Sequence, residues 1–154
     1  MQSQSQSKGE NKSKSKSQIY SDLVFKNIEV LVAEPVDSTR QAQEKKLLRL
    51  KKYKSLCKRG GGILRTVGLI HFLTFIAAKA TKESEIHHKD LLEHLRVELF
   101  ELHIIPAKNE TDFLSIIRQQ ELPEYMRTTS ETLKLLQWHK RISDILISGT
   151  VGGD

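Results

Sequence analysis

One cysteine in 154 residues excludes a good deal. Cys57 has no partner for an internal disulfide, and no zinc site built on cysteines can form. Such a chain fits a reducing interior, so a cytoplasmic location is expected. Cys57 itself reads as a small, half-buried residue rather than a nucleophile. Long hydrophobic runs are also missing. The longest, Ile63 to Ala78, carries Arg65 and His71 and is too short and too interrupted to span a bilayer. The N-terminus lacks the apolar stretch of a secretory signal. No segment shows the strict apolar–polar alternation of a strand bounded by turns. The hydrophobic fraction of 38% suffices for one core of ordinary size.

The signatures of catalysis are absent as well. The stretch "KRGGGILRTVG" at 58–68 invites comparison with a phosphate loop. A Walker loop, however, needs a Lys and then a hydroxyl after its last glycine, and Gly68 is followed by Leu69 and Ile70. A dinucleotide fingerprint follows a strand, whereas a helix precedes these glycines. They therefore read as a helix C-cap and tight reversal. Any phosphate contact there would come from Lys58, Arg59, Arg65 and backbone amides, and would bind without catalysing. There is no G-x-S-x-G elbow. The six histidines form no H-x-x-x-H or H-E-x-x-H pattern. His87, His88 and His94 share a helix with Glu98 and Glu101, but converging ligands are not evident. Glu83/Glu85 and Glu98/Glu101 read as solvated helix positions. The expectation is no catalytic residue, no metal and no cofactor.

What the sequence has is positive charge in one place. Residues 40–65 hold ten Lys and Arg against Glu44 alone, net +9, and residues 1–18 are net +3. The whole chain is +6, so the remainder is −6. Within 41–59, Leu47, Leu50, Tyr53 or Lys54, and Cys57 mark an apolar stripe at helical spacing. Lys45, Arg49, Lys52 and Arg59 run along one flank, and Lys51, Lys54 and Lys58 along the other. Solvated helix faces usually interleave acids with bases. Two cationic rails with one acid between them favour a polyanion-binding surface. Tyr53 fits base stacking and core packing equally. Trp138 fits core packing better.

The periodicity predicts an all-α bundle of five to six helices over residues 19–148. A Gln/Ser/Lys-rich tail, 1–18, is expected to be disordered and suits either loose polyanion contact or solubility. Residues 149–154 are expected to fray. The first helix is expected over 19–33 with Leu23, Ile28 and Leu31 inward, and Pro35 ends it. The basic helix follows. A helix apolar nearly all round, 63–80, is expected to be the most buried. Thr81 is expected to cap a helix reaching about Ile105, with Leu91, Leu95, Leu99 and Leu102 inward. Asn109 with Asp112 starts a short helix through Phe113, Ile116 and Ile117. Thr128 and Glu131 form a capping box for the last helix, whose seam is Leu135, Trp138, Ile142 and Ile145.

Two blocks carry a family resemblance. "YKSLCKRGGGILRTVGLIHFLTFIAAKA" (53–80) and "LPEYMRTTSETLKLLQWHKRISDIL" (122–146) resemble the small α-helical subunit of Cmr-type (type III-B) CRISPR effector complexes. The first block shares a Tyr-Lys start (Tyr53, Lys54) and a Gly-Leu step (Gly68, Leu69) into an apolar helix with Phe75 and Lys79. The second shares Tyr125, Arg127 and Thr129, then Leu135, Leu136, Trp138, Lys140 and Arg141. Residues 20–148 are covered, and the glycines at 60–62 depart from the pattern. The resemblance implies a non-catalytic subunit that stacks in several copies along the inner ridge of an RNA-guided assembly, lining the guide–target path. Its implied partners are the other subunits, further copies of itself and the backbones of guide and target RNA, with no membrane. In that setting the RNA contacts are expected from Lys51, Lys54, Lys58, Arg59 and Arg65, with Lys134 and Arg141 as a second group. Two alternatives stand beside it, a DNA-binding helical regulator and a small enzyme with a dispersed site. The first suffers because the segment after the glycines is too apolar to read base edges.

Overall fold

The computed structural model describes residues 13–148. Among them are six α-helices, one 3₁₀ turn and no strand, so the all-α expectation holds. The helices are α1 (Lys16–Ala33), α2 (Arg40–Val67), α3 (Leu69–Lys79), α4 (Ile86–Glu101), α5 (Glu110–Arg118) and α6 (Leu122–Leu146), with a 3₁₀ turn at Glu83–Glu85 before α4. α6 packs against α1 and α2, and α4 packs against α2 and α3. α5 closes the end formed by α3 and α4. The expected tail lies largely in residues 1–12, outside the described residues, as does the expected fray at 149–154.

Helix α1 starts three residues before the expected Ile19 because Ser15 forms a capping box with Gln18. The Ser15 hydroxyl accepts from the Gln18 amide, and the Gln18 side chain accepts from the Ser15 amide. Its core stripe is Tyr20, Val24, Ile28 and Leu31, spaced by four, four and three residues. Leu23 is only half-buried. Glu34 precedes Pro35, whose ring disfavours further helix.

The triple glycine does not end a helix. α2 runs through Gly60–Gly62 for 28 residues, and the reversal comes at Gly68, whose φ is 88°. Each interior glycine costs about 0.5–1 kcal/mol relative to alanine. Buried Leu56, Cys57 and Leu64 on either side hold the segment helical against that cost. Gly60 is also fitted to its neighbour, since a Cβ there would lie 3.2 Å from Leu136 Cδ2. Gly68 caps both helices at once. Its amide donates to Leu64 O at 2.9 Å, and its carbonyl accepts from the Phe72 amide at 3.0 Å. Only glycine takes that φ without strain.

The expected helix 63–80 is therefore divided. Residues 63–67 belong to α2, and α3 buries Leu69, Phe72, Leu73 and Ile76 while His71, Thr74 and Phe75 face outward. Thr81 does not cap α4. Its hydroxyl donates back to Ala78 O, and the 3₁₀ turn intervenes. Leu91, Leu95 and Leu99 are buried as expected, and Leu102 is half-buried. Asn109 caps α5 as expected, accepting from the Asp112 amide at 3.2 Å. α6 begins six residues before the expected capping box, with Pro123 in its first turn, where a missing N–H costs nothing. Thr128 is thus interior, and its hydroxyl donates to Glu124 O. Of the expected seam, Leu135 and Ile142 are buried and Trp138 is half-buried, but Ile145 is 73% exposed. At about 100° per residue it falls far from the face that carries Leu135, His139 and Ile142.

Candidate nucleic-acid interface

Two adjoining grooves bring together residues from α1, α2 and α6. One, of about 410 Å³, is lined by Cys57, Lys58, Gly61, Gly62 and Arg65 of α2 and by Leu136, Gln137, Lys140 and Arg141 of α6. The other, of about 400 Å³, is lined by Lys16, Ser17 and Tyr20 of α1 and by Lys134, Gln137, Trp138 and Arg141. Gln137 and Arg141 line both, so the grooves form one trough. Among the described residues no acidic side chain lines either part, while six cations do.

The floor of the first groove is bare backbone. A Cβ on Gly62 would meet nothing within 4 Å, and one on Gly61 would touch only Arg65 Nη1 and Leu133 Cδ1 at 3.7 Å. Packing requires a glycine at neither position, yet each weakens the helix. A surface without side chains lets a ligand backbone approach closely.

Beneath the second groove lies buried Glu131. It accepts from Lys16 Nζ at 2.9 Å, from Lys134 Nζ at 3.2 Å and from the Tyr20 hydroxyl. Burial pushes its carboxyl up, but the bonds from Tyr20, Lys16 and Lys134 prevail and hold it below the usual range. One carboxylate thus anchors α1 to α6 and fixes two of the trough's cations.

The expected site residues do not converge on one place. Lys58, Arg65, Lys134 and Arg141 do meet in the trough. Arg59 faces a separate groove of about 270 Å³ with Lys52, Ser55, Phe75, Lys79, Glu85, His87 and His88. Lys51 is half-buried and lines neither part of the trough. Lys54 is a correction, because its side chain is buried, with Nζ donating to Ile147 O at 2.9 Å and 3.7 Å from Asp144 Oδ1. Both residues of the "Tyr53 or Lys54" choice are inward, because the core-facing stripe of α2 is wide enough for two adjacent positions.

The flank of Lys45, Arg49 and Lys52 is tied up internally. Arg49 donates to both carboxylate oxygens of Asp90, at 2.8 and 2.7 Å, and its Nη1 lies 3.3 Å from Glu34. Lys45 bonds Glu83 at 3.0 Å, and Lys52 donates to Ser84 O. Balance missing along the sequence is supplied from other elements. Lys16 and Lys140 are trough cations that sequence reasoning did not place. The residues 134, 137, 138 and 141 share one helical face, and that spacing was the available signal.

Tyr53 is wholly buried, so stacking is excluded at that position. Its hydroxyl lies 2.6 Å from His94 Nδ1 and 2.9 Å from His139 Nδ1. His139 Nε2 meets the Glu98 carboxylate at 2.8 and 2.9 Å, and Asn27 donates to the same carboxylate at 2.8 Å. Burial opposes a charge on His139, but the Glu98 carboxylate outweighs it and pushes the imidazole up to about 10. Burial, helped by neighbouring His139, pushes His94 down to about 4. Glu98 and His139 are fully enclosed, so the pair holds α4 to α6 and offers a substrate no access. The histidines of α4 are therefore separated. His94 joins the core, while His87 and His88 gather with Glu85 at the helix start.

No helix among the described residues is long and apolar enough to cross a membrane. A family model described as CRISPR-associated protein (Cas_Cmr5) matches residues 32–146. A solved structure of a CRISPR-associated Cmr5 family protein from Thermus thermophilus is similar, with a TM-score of 0.63. That match covers 88% of this chain and 100% of the other at 21% identity, which establishes a common fold. A search of curated proteins finds no match.

Proposed function

Because the chain belongs to the Cmr5 family of CRISPR-associated proteins, the small subunits of Cmr-type effector complexes, we propose that its trough carries RNA backbone inside an RNA-guided assembly. In this reading the subunit is non-catalytic and cytoplasmic. It stacks in several copies beside the other subunits and lines the path of guide and target. The observation that carries the reading is a trough whose lining, among the described residues, holds six cations and no acid above a glycine floor. Lys58, Arg65, Lys140 and Arg141 neutralise phosphates, and Gly61 and Gly62 let the sugar–phosphate chain settle against the helix. Phosphate contacts position a strand and carry no sequence information. Base pairing between guide and target supplies that. Arg59 and Lys51, which lie outside the trough, are secondary contacts in this reading, and Lys54 acts through the fold.

The test is a salt series. Each phosphate neutralised contributes roughly 0.7–0.9 to the slope of log affinity against log salt. Replacing Lys58, Arg65 and Arg141 by Ala should flatten the slope by about two units and weaken binding uniformly across RNA sequences. The measurement belongs in the assembled complex if the lone subunit binds weakly. An unchanged slope with a folded mutant would assign the trough to protein docking instead.

A further inference from the structure

We propose that Glu85, His87 and His88 hold a divalent d-block cation, with zinc(II) favoured by the donor set, at the start of α4. His87 Nε2 and His88 Nδ1 lie 3.5 and 3.1 Å from Glu85 Oε2, and the three donor atoms all fall within 4.8 Å of one another. Zinc bonds of about 2.0–2.2 Å in tetrahedral array place neighbouring donors about 3.3–3.6 Å apart. The two spacings to Glu85 are therefore close to coordination edges.

The local fold makes the cluster. The 3₁₀ turn delivers Glu85 directly into the first turn of α4, so its carboxylate reaches His88 three residues on. Glu85 is the N-cap of α4 but makes no side-chain capping bond, which leaves its carboxylate for the imidazoles. His87 supplies the second, independent observation. It is 5% exposed, its Nδ1 has no hydrogen-bond partner, and its Nε2 has only the long contact to Glu85. Buried polar groups this poorly satisfied are uncommon and call for an explanation. A metal on Nε2 replaces the long contact to Glu85 with a strong bond and leaves the ring proton on Nδ1.

A metal on His88 Nδ1 displaces the proton that this nitrogen shares with the Glu85 carboxylate at 3.1 Å and the Glu85 carbonyl at 3.2 Å, and that proton moves to Nε2. Three cations, Lys52, Arg59 and Lys79, line the same groove, and two of them have contacts of their own. Lys52 donates to Ser84 O at 3.3 Å, and Lys79 Nζ sits 5.6 Å above the Phe75 ring. A groove of about 270 Å³ opens at the cluster and leaves a fourth position for water or an incoming oxygen ligand. Two nitrogens and one carboxylate oxygen suit zinc, cobalt or nickel better than magnesium or calcium.

The experiment titrates tag-free full-length protein with zinc(II), using cobalt(II) as the spectroscopic probe. One equivalent should bind with a dissociation constant at or below about 10 µM, and cobalt should show the visible bands of a four-coordinate site. Glu85→Gln and His88→Gln should each weaken binding at least about tenfold while circular dichroism and the unfolding midpoint confirm the fold. His71→Gln and His103→Gln alter exposed imidazoles outside the cluster and should change nothing. Absence of binding at 100 µM metal (roughly ten times the expected constant) overturns the proposal. So does binding that survives both cluster variants, or binding lost in the His71 or His103 variant.

Discussion

The two halves of α2 carry similar runs of cations and use them oppositely. In the first half, Lys45 and Arg49 are met by Glu83, Asp90 and Glu34 from other elements. In the second half, Lys58 and Arg65 face Lys140 and Arg141 across a groove with no acidic lining among the described residues. The difference lies in what packs opposite. The first half meets the acidic turn before α4 and Asp90 within it, and the second meets the basic stretch of α6. Charge density along a helix therefore does not identify a binding surface, whereas the charge of the element packed opposite helps to. Like charges held together across a groove are costly unless a polyanion covers them.

The sharpest contrast with the open trough is the enclosed pair. Replacing His139 by Ala strands the Glu98 carboxylate in the core, and denaturant unfolding should show a loss of about 3–5 kcal/mol. The pH profile checks the same point. His139 is raised to about 10 when folded, so its contribution is full below the unfolded value near 6.5 and is lost as pH rises towards 10. His94 is lowered to about 4, so the unfolded chain takes up the proton first and stability also falls as pH drops from about 6.5. Stability should thus peak near neutrality, and His139→Ala should flatten the alkaline side.

Next in size is Arg49→Ala. It removes a bidentate contact to a mostly buried Asp90 and should cost about 2 kcal/mol, without altering the salt slope of RNA binding. A fall in that slope would mean that the first half of α2 also binds RNA, and the contrast between halves would fail.

Gln137→Glu places an acid where the two parts of the trough join. Repulsion from phosphates should weaken RNA binding about tenfold, or about 1.4 kcal/mol, with the fold unchanged. The smallest effect is on stability. Gly61→Ala and Gly62→Ala should each stabilise α2 by up to about 1 kcal/mol in thermal unfolding, since nothing obstructs the methyl groups. RNA affinity should fall nonetheless, because the floor is raised. Improved stability with unchanged binding would separate the glycines from the RNA.

Much of the architecture was legible. Six helical segments followed from apolar periodicity, and the Asn109 cap followed from its short polar side chain. Boundaries failed where packing overrode local propensity. Gly60–Gly62 stays helical because Leu56, Cys57 and Leu64 anchor both flanks. α6 starts early because Pro123 is tolerated in a first turn, which conceals Thr128 and Glu131 as interior residues. The site was legible as a charge excess but not as a place. Lys54 is long enough to turn inward and bond the chain at Ile147, and no local pattern reports that. The pairing of Arg49 with Asp90 spans 41 residues. The cluster at Glu85 escaped a search for ligands spaced four apart, because a 3₁₀ turn brings its donors together at shorter spacing.

Cys57 lies under the lip of the trough, 1% exposed, and it is the only thiol in the chain. A reagent can reach it only when α2 and α6 part for a moment. Its rate of alkylation is therefore a clock for the breathing of that seam. A strand lying across the glycine floor would slow the clock without touching the sulfur.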